Sequence, residues 1–552
     1  MKKLFKVRNL AKSFTAFALA VVMTFSVSIT ANAAGNQGID VSKYQGGINW
    51  AAVAQSGVGY TFIKVGSTKS GIDPYFATNV TGAQAAGIRT GVYIYSYATT
   101  VEAAAQEAAL VLQWIEPYNI NFPVAFDIED KTQKGLDANT CTAIANTFCS
   151  IIAQAGYTPI LYTYTNFYKA HFTSGLAYDK WIAQYADHND IAGWAIWQYS
   201  SGGAVPGIAG RVDMNIAAKD YTAFIPQVGL LDLGNGNTFF FNNYRRQFGW
   251  VDIGGVKYHT DPATGIVTFG WFADETGAYY FMPGTGNAAT GLNTIGDGIY
   301  YFNEAAQLQT GWLELGGNTF LFDPAANGKL YTGWWSDPAV GVRYLDTTDG
   351  HMVTGLNTID KDTYYFNEQG FRQVGWIELN KLTYMFNPND NGKLYKGWWT
   401  DATGTYYLDQ TDAHRVSGLV PIDKSVYYFN EAGQMQVGLV KVNGANYFFG
   451  ADGKMQTGFQ TIGDATYYFG ANGVMSTGVI QEKDGVYYAG ADGKIVVNQV
   501  VKIGNDQFVF GADGKLVINQ VVQIGENLYQ TNETGVVVAS APAPKADTNT
   551  KK

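Results

Sequence analysis

The sequence predicts an α/β irregular β/α barrel followed by an all-β solenoid of stacked β-hairpin repeats. Two observations lead to this prediction. From Gly38 to Tyr221, apolar strand-like runs alternate with Ala-rich, helix-like segments, which is the pattern of a TIM-like barrel. From Phe239 onward, short aromatic strands recur about every 20 residues with Gly or Asn turns between them, and hairpins of that length bury their faces only by stacking.

The barrel prediction is built from eight strand-like runs and three helix-like segments. Each strand is a short apolar run bounded by turn residues, and each helix is longer and rich in Ala. The predicted strands span residues 38–42, 60–65, 90–97, 123–129, 159–164, 181–185, 195–199 and 212–216, and the predicted helices span 73–86, 101–114 and 139–155. Because the later connections are too short for full helices, we expect an irregular barrel.

Changes in composition along the 552 residues predict five segments. A basic start, an apolar stretch over about residues 14–29 and the triplet Ala31-Asn32-Ala33 predict a secretory signal peptide over 1–33. A barrel is expected over 34–225, a linker over 226–236, hairpin repeats over 237–538 and a disordered tail over 539–552. The protein is therefore expected to be secreted, without a membrane span.

Composition disfavours several classes of function. The net charge of −10 gives no reason to expect nucleic acid as a partner. Cys141 and Cys149 lie in one predicted helix, too far apart to form a disulfide, and are expected to be buried. The barrel has only His171 and His188, both expected in loops, and no Gly-x-Ser-x-Gly motif. Zinc, Cys–His and serine chemistry are therefore not expected, and no cofactor or metal is predicted.

Four acidic residues are predicted to converge at the mouth of the barrel. Asp127 and Glu129 end the fourth predicted strand, and residues two apart on a strand face the same side. Asp40 and Asp213 lie between apolar neighbours near the first and eighth strands, so each is expected to face inward. Crowded carboxyl groups raise one another's pKa, which suits acid/base cleavage of a glycosidic bond. Glu129 has the longer reach and is predicted to donate the proton.

The second half repeats an aromatic triplet, a turn, and a Gly-Trp or Gly-apolar pair. Residues 300–361 resemble residues 364–424, so three hairpins form a compound repeat of about 63 residues. Aromatic rings of neighbouring hairpins can form shallow cages that hold a quaternary ammonium or stack on a sugar ring. The predicted ligand-binding residues are Trp312, Trp334, Trp335, Trp376, Trp398 and Trp399, and Trp250 and Trp271 belong to the same set.

The motifs of the first half resemble those of family 25 glycoside hydrolases, the muramidase-type lysozymes. They are Gly38-Ile-Asp-Val-Ser-Lys-Tyr-Gln-Gly46, Ala125-Phe-Asp-Ile-Glu129, Ala195-Ile-Trp-Gln-Tyr199 and Val212-Asp-Met-Asn215, in the family's order. The resemblance implies hydrolysis of the β-1,4 bond between N-acetylmuramic acid and N-acetylglucosamine in peptidoglycan. It implies Glu129 as the general acid and Asp40, Asp127 and Asp213 as the other active-site acids. Residues expected to contact the substrate are Tyr95, Tyr162, Trp197 and Gln198.

The second half is similar to cell-wall-binding repeats, which include choline-binding modules. The similarity implies that several weak sites in series hold the enzyme on a cell-wall carbohydrate or a choline-bearing polymer. Both ligands stay open, because the position before the Tyr-Tyr pair, usually Trp in choline-binding repeats, holds Ile299, Thr363 or Val426. The alternative function is a carbohydrate-binding surface protein or adhesin with an inactive barrel. Asp127 could orient the substrate's acetamido group, act as a nucleophile or assist a water.

Overall fold

The computed structural model describes residues 36–544. These residues fall into two compact units, and the boundary between them in sequence lies between Gln309 and Thr310. The predicted signal peptide, residues 1–33, lies outside the described residues. The boundaries predicted for the domains stay predictions.

The first unit contains a closed barrel of eight strands, as the sequence predicts. The strands of this sheet are β1 (Gln37–Val41), β2 (Tyr60–Ser67), β3 (Gly71–Ile72), β4 (Arg89–Tyr95), β5 (Val124–Asp127), β6 (Pro159–Tyr164), β7 (Lys180–Ala183), β8 (Ile196–Gly203) and β9 (Val212–Ala217). Their order is β1-β9-β8-β7-β6-β5-β4-β2, and pairing of β1 with β2 closes the ring. The two-residue strand β3 only extends β2 at the edge.

The barrel is a mixed sheet, which modifies the predicted α/β irregular β/α barrel. Strands β1, β2 and β4 to β8 are parallel to their neighbours in this set, whereas β9 is antiparallel to both β8 and β1. The reason is the connection between β8 and β9, residues 204–211, which contains no helix. A short connection returns the chain antiparallel, because a parallel return needs a crossover of a dozen or more residues.

Five helices of the described residues lie in the barrel, three of them near the predicted positions. They are α1 (Trp50–Gln55), α2 (Phe76–Ala85), α3 (Val101–Ile115), α4 (Ala138–Gln154) and α5 (Thr165–His171). The side chain of Thr100 accepts from Ala103 N at the start of α3, and Asp137 caps α4 in the same way. Cys141 and Cys149 are free thiols buried on α4, as predicted.

Strand alternation separates two layers of side chains in the barrel. Ile39 and Val41 of β1 pack outward in the larger core with the helices, so Asp40 between them faces the inside. Inside, aromatic side chains fill the end of the barrel opposite the carboxylates, and Phe62 stacks on Trp181 at 4.1 Å. The interior is therefore apolar at one end and polar at the other, where the parallel strands have their carboxyl ends.

From Val228 to the end of the described residues the chain forms small antiparallel sheets, mostly hairpins of two five-residue strands. The sheets of the first unit are Val228–Asp232 with Thr238–Asn242 and Arg245–Arg246; Gly249–Ile253 with Val256–Thr260; Gly270–Asp274 with Gly277–Phe281; and Gly291–Ile295 with Gly298–Phe302 and Leu308–Gln309. Those of the second unit are Gly311–Leu315 with Asn318–Asp323 and Lys329–Leu330; Gly333–Asp337 with Gly341–Leu345; Gly355–Ile359 with Asp362–Phe366; Gly375–Leu379 with Leu382–Asn387 and Lys393–Leu394; Gly397–Asp401 with Gly404–Leu408; Gly418–Ile422 with Ser425–Phe429; Gly438–Val442 with Ala445–Phe449; Gly458–Ile462 with Ala465–Phe469; Gly478–Glu482 with Gly485–Ala489; Gln499–Ile503 with Asp506–Phe510; and Val521–Ile524 with Asn527–Thr531 and Val537–Pro542.

The third member of the aromatic triplet and the residue after the first glycine of a hairpin differ in burial. The third member is completely buried in hairpin after hairpin: Phe281, Phe302, Phe322, Phe366, Phe386, Phe429, Phe449 and Phe469. In several hairpins the residue after the first glycine is instead exposed, as at Trp334 and Leu356. Backbone bridges such as Phe366 to Arg372 and Leu408 to Arg415 extend each hairpin to the turn that follows it. The predicted array of hairpin repeats is confirmed.

The first hairpin sheet packs directly against the barrel. Arg246 N donates to the carbonyl oxygen of Gly156 at 2.9 Å, and Gly156 has a φ of 89°. A Cβ at Gly156 would lie 2.3 Å from Arg246 O, so only glycine permits this approach.

The residues predicted as a linker, 226–236, include the strand Val228–Asp232 of this sheet. The strand Val537–Pro542 likewise extends beyond residue 539, where the tail is predicted to begin.

Candidate active site

Asp40 and Asp213 are direct neighbours across two strands of the barrel. Asp40 lies on β1 opposite Asp213 on β9, and their carboxyl groups share a hydrogen bond. Asn215 Nδ2 and Gln198 Nε2 each donate to Asp40 Oδ2 at 2.8 Å. Burial, followed by the charge of Asp213, raises the pKa of Asp40 to about 7. Asp40 can therefore exist in either protonation state near neutral pH.

A chain of hydrogen bonds fixes the amides that hold Asp40. The hydroxyls of Tyr162 and Tyr185 each donate to Gln198 Oε1 at 3.0 Å, which orients Gln198 Nε2 toward Asp40. On the other side, Trp181 Nε1 donates to Asn215 Oδ1 at 2.7 Å. The carboxylate is thus held by groups on β6, β7, β8 and β9 together.

Asp127 and Glu129, here called the carboxylate pair, lie at the carboxyl end of β5. Asp127 is the last residue of β5 and only 4% exposed, and its Oδ1 has no hydrogen-bond partner among the described residues. Burial, and then the charge of Glu129, raises the pKa of Asp127 well above its usual value. Burial also raises the pKa of Glu129, opposed by Lys64. Both carboxyl groups therefore hold protons more strongly than in water.

Lys64 is a site residue that the sequence analysis missed. It lies on β2, and its ammonium is 4.8 Å from the centre of the Tyr95 ring and 5.8 Å from that of Tyr93. Burial lowers the pKa of Lys64, whereas the charge of Asp127 acts against this. The available signal was a single charged residue in the otherwise uncharged strand β2, two positions after the inward-facing Phe62.

Three of the four predicted substrate-contacting residues lie beside the carboxylates. Tyr95 on β4 and Tyr162 on β6 flank Asp127 in register, and Gln198 contacts Asp40. The structure does not bring Trp197 to this group, because adjacent residues of a strand face opposite sides. Trp197 Nε1 donates to the carbonyl of a loop residue at 2.8 Å, away from the interior.

The two barrel histidines lie away from the carboxylates. His188 makes ion-pair contacts with Asp187 and Asp190 in an exposed loop, and His171 ends α5 with its ring 4.2 Å from that of Phe167. The chemistry available at the barrel mouth is therefore that of four carboxyl groups with raised pKa values, the ammonium of Lys64 and several hydroxyl and amide groups. Such a set can donate and accept protons around a bound polar substrate.

The predicted tryptophans of the second unit form aromatic clusters between consecutive hairpins. The ring of Trp398 lies 5.0 Å from that of Tyr407, its cross-strand partner, and 4.9 Å from that of Tyr427 on the next hairpin. Trp334 makes the same two contacts at 5.0 Å each, with Tyr344 and Tyr364. These two tryptophans are each 37% exposed, so the clusters present open aromatic surface.

The remaining predicted tryptophans form a second type of cluster. Trp376 and Trp399 each donate through Nε1 to Asp401 Oδ2 at 3.1 Å, and the ring of Trp376 lies 4.8 Å from that of Tyr406. One compound repeat earlier, the rings of Trp312 and Trp335 are 5.2 Å apart. All six predicted tryptophans therefore take part in contacts between or across hairpin strands.

Models of known protein families match parts of both halves of the chain. The model of glycosyl hydrolases family 25 matches residues 39–208, a choline-binding repeat model matches residues 456–500 and a cell wall binding repeat model matches residues 437–455. The uncharacterized protein YegX of Escherichia coli (strain K12) is 31% identical over 217 residues, which are 37% of this chain and 78% of YegX. The autolytic lysozyme of Clostridium acetobutylicum is 30% identical over 182 residues, 32% of this chain and 55% of that protein.

Among solved structures, the bacterial lysozyme from Streptomyces coelicolor matches 34% of this chain and 93% of its own, with 26% identity and a TM-score of 0.29. No helix among residues 36–544 has the length and hydropathy needed to span a membrane.

Proposed function

Because the chain belongs to glycosyl hydrolase family 25, we propose that it is a secreted peptidoglycan hydrolase that cleaves the β-1,4 bond between N-acetylmuramic acid and N-acetylglucosamine. The observation that supports this most directly is the carboxylate pair at the barrel mouth, with both pKa values raised by burial. A glycosidase needs a carboxyl group that is still protonated at working pH.

Glu129 is the general acid of the proposed reaction. It is half-buried beyond the end of β5, whereas Asp127 is almost completely enclosed, so Glu129 is the more accessible member of the carboxylate pair. Its proton passes to the glycosidic oxygen as the bond from the anomeric carbon to that oxygen breaks. A water then adds to the anomeric carbon and returns a proton to the site, which completes hydrolysis.

Asp127 is proposed to orient the substrate. Its Oδ1 is buried and has no partner among the described residues, and an unpaired buried acceptor is costly unless a ligand supplies a donor. The acetamido N–H of a bound sugar is such a donor. Of the three roles open for Asp127, a hydrogen bond to this N–H uses the free oxygen directly, and Lys64 stabilises the carboxylate that accepts it.

Asp40 and Asp213 form the opposite wall of the site. Their shared hydrogen bond and the two amide donors of Asp40 hold these carboxyl groups in one arrangement, which suits a role in binding the sugar and moving a proton. Trp197 faces away from this wall, so Tyr95, Tyr162 and Gln198 are the proposed substrate contacts.

The hairpin repeats are proposed to hold the enzyme on its insoluble substrate through a choline-bearing wall polymer. The residues matched by the choline-binding repeat model include Phe459, whose ring lies 4.9 Å from that of Tyr468 and 4.5 Å from that of Tyr487. This is the arrangement found around Trp334 and Trp398. Aromatic faces attract a quaternary ammonium, and several weak sites on one polymer give a large gain in avidity.

The test of the bond cleaved is digestion of purified peptidoglycan by the full chain, followed by mass spectrometry of the reduced fragments. We expect N-acetylmuramic acid at the reducing ends. N-acetylglucosamine at the reducing ends, or new free amino termini, would contradict the proposed bond.

The test of the general acid is Glu129→Gln, which keeps the shape of the side chain and removes the proton. We expect the hydrolysis rate to fall by about 100- to 10,000-fold while the protein still sediments with cell walls. Glu116→Gln, in an exposed position at the end of α3, is the matched control and should keep full activity. Unchanged activity of Glu129→Gln would exclude Glu129 as the acid.

Secretion rests on the predicted signal peptide. If residues 1–33 are removed on export, protein recovered from the culture medium or the wall should begin at Ala34. An intact amino terminus in the cell pellet would contradict secretion.

A further inference from the structure

One hairpin of the second unit has an arginine where its neighbours have an aromatic ring. Arg343 lies opposite Trp335 across the strands of its hairpin. At the equivalent position of the next compound repeat, Tyr406 lies opposite Trp399, and in the first unit Tyr279 lies opposite Phe272. Arg343 is therefore a local substitution of a cation for a tyrosine in an otherwise repeated arrangement.

The guanidinium of Arg343 is enclosed by three aromatic rings. Its Cζ lies 4.5 Å from the centre of the Trp312 ring, 4.1 Å from that of Phe371 and 5.6 Å from that of Trp335. Arg343 Nε also donates to the carbonyl of Gln369 at 3.2 Å. Rings from two hairpins, the ring of Phe371 in the turn after a third hairpin and one backbone acceptor thus hold the side chain in one position.

The other arginines of the second unit make weaker contacts of this kind. Arg372 lies 5.6 Å from the ring of Trp334, and Arg415 lies 5.6 Å from the ring of Trp376. Each of them faces a single ring, near the outer limit of a cation–π contact. Among the described arginines of the second unit, only Arg343 has its guanidinium between several aromatic rings, as a bound cation would be.

We propose that Arg343 permanently occupies the aromatic cage of Trp312, Trp335 and Phe371 and closes it to any external quaternary ammonium. The cage attracts cations for the same reason that the open clusters do, but its occupant is covalently attached and therefore present at a very high effective concentration. An external cation would have to displace the guanidinium and approach a like charge. This hairpin pair consequently contributes no ligand site, whereas the Trp398 cluster, formed by Trp398, Tyr407 and Tyr427, stays open.

This inference rests on the proposed binding of a quaternary ammonium by the repeats, and it predicts a gain of binding. Choline chloride is titrated into the full chain by calorimetry, and the equivalents bound per chain are counted. Arg343→Ala empties the cage and should bind about one equivalent more than the unchanged protein. Arg343→Tyr, which restores the residue of the neighbouring repeats, is the second variant and should also gain binding. It keeps the test decisive if the alanine substitution disturbs the fold.

Arg343→Lys is the matched control, because it keeps a cation beside the same rings, and its count should stay that of the unchanged protein. If the unchanged protein binds choline and neither Arg343→Ala nor Arg343→Tyr gains an equivalent, the inference is overturned while the proposed ligand survives. A gain with lysine equal to that with alanine would overturn the claim that a cation closes the cage. No binding by any of the proteins would overturn both the inference and the proposed ligand of the repeats.

Discussion

The substitution Asp40→Asn is expected to stabilise the barrel while it impairs hydrolysis. Both amide donors of Asp40, from Gln198 and Asn215, point at the same oxygen, Oδ2. The carbonyl oxygen of an asparagine can accept both of these bonds. The substitution therefore removes a buried charge and keeps both amide hydrogen bonds.

The size of the effect follows from the pKa of Asp40, which is raised from 3.8 to about 7 in the folded chain. Below pH 4 the carboxyl is protonated in both the folded and the unfolded states, so its burial has no ionic cost. Between about pH 4 and 7 the unfolded chain releases this proton and the folded chain keeps it, so stability falls as pH rises. Above pH 7 the ionised, buried carboxylate of Asp40 lowers the free energy of unfolding by about 4 kcal/mol, at 1.36 kcal/mol for each unit by which folding raises its pKa.

The assay is urea unfolding from pH 4 to 8, monitored by hydrogen exchange of the amides in the barrel strands. This readout measures the stability of the barrel separately from that of the repeats. Asp40→Asn should match the unchanged protein at pH 4 and exceed it by about 4 kcal/mol at pH 8, with lower activity throughout. Asp232→Asn, in an exposed position, is the control and should show no such pH dependence. If Asp40→Asn is less stable at pH 8, or its difference from the unchanged protein is the same at both pH values, the reasoning is refuted.

Three further predictions concern the contacts of Lys64 and Asn215 in the barrel and the burial of Phe366 in the repeats. Lys64→Met removes the ammonium that lowers both pKa values of the carboxylate pair, so the pH profile of kcat/KM should move upward by about 1–3 units; an unmoved profile would exclude this role. Asn215→Ala leaves the indole N–H of Trp181 without its acceptor and should destabilise the barrel by about 1–3 kcal/mol, measured by urea unfolding. Phe366→Ala empties a completely buried position of a repeat and should destabilise the second unit by about 3–5 kcal/mol. Its control is Leu356→Ala on the same hairpin, where the side chain is 54% exposed and the change should be within about 0.5 kcal/mol.

Local periodicity explains how much of the barrel the sequence predicted. Each strand is a short apolar run, and a carboxylate between two outward-facing residues must face inward. The acids Asp40, Asp127, Glu129 and Asp213 were therefore found without knowledge of the fold. The same rule places Trp197 and Gln198 on opposite sides of their strand, since adjacent strand residues face opposite sides. The sequence alone could therefore have excluded Trp197 from the site.

Long-range contacts explain the rest of the site. The bond from Gln198 to Asp40 joins residues 158 positions apart, and the bond from Asn215 to Asp40 joins residues 175 positions apart. Neither is encoded in a local pattern, because both depend on how the barrel closes. The place of Lys64 beside the carboxylate pair has the same origin, since β2 and β5 are brought together only by the order of strands.

For the protein as a whole, the sequence by itself determined a barrel with inward-facing acids and an array of aromatic hairpins, because alternation, turn residues and repeat length are properties of neighbouring residues. Only the tertiary structure decided that β9 runs antiparallel, which carboxyl groups share hydrogen bonds and which aromatic clusters are open. Those outcomes depend on distances between residues far apart in the chain, such as Arg343 and the rings of Trp312 and Phe371, and these distances exist only once the chain has folded.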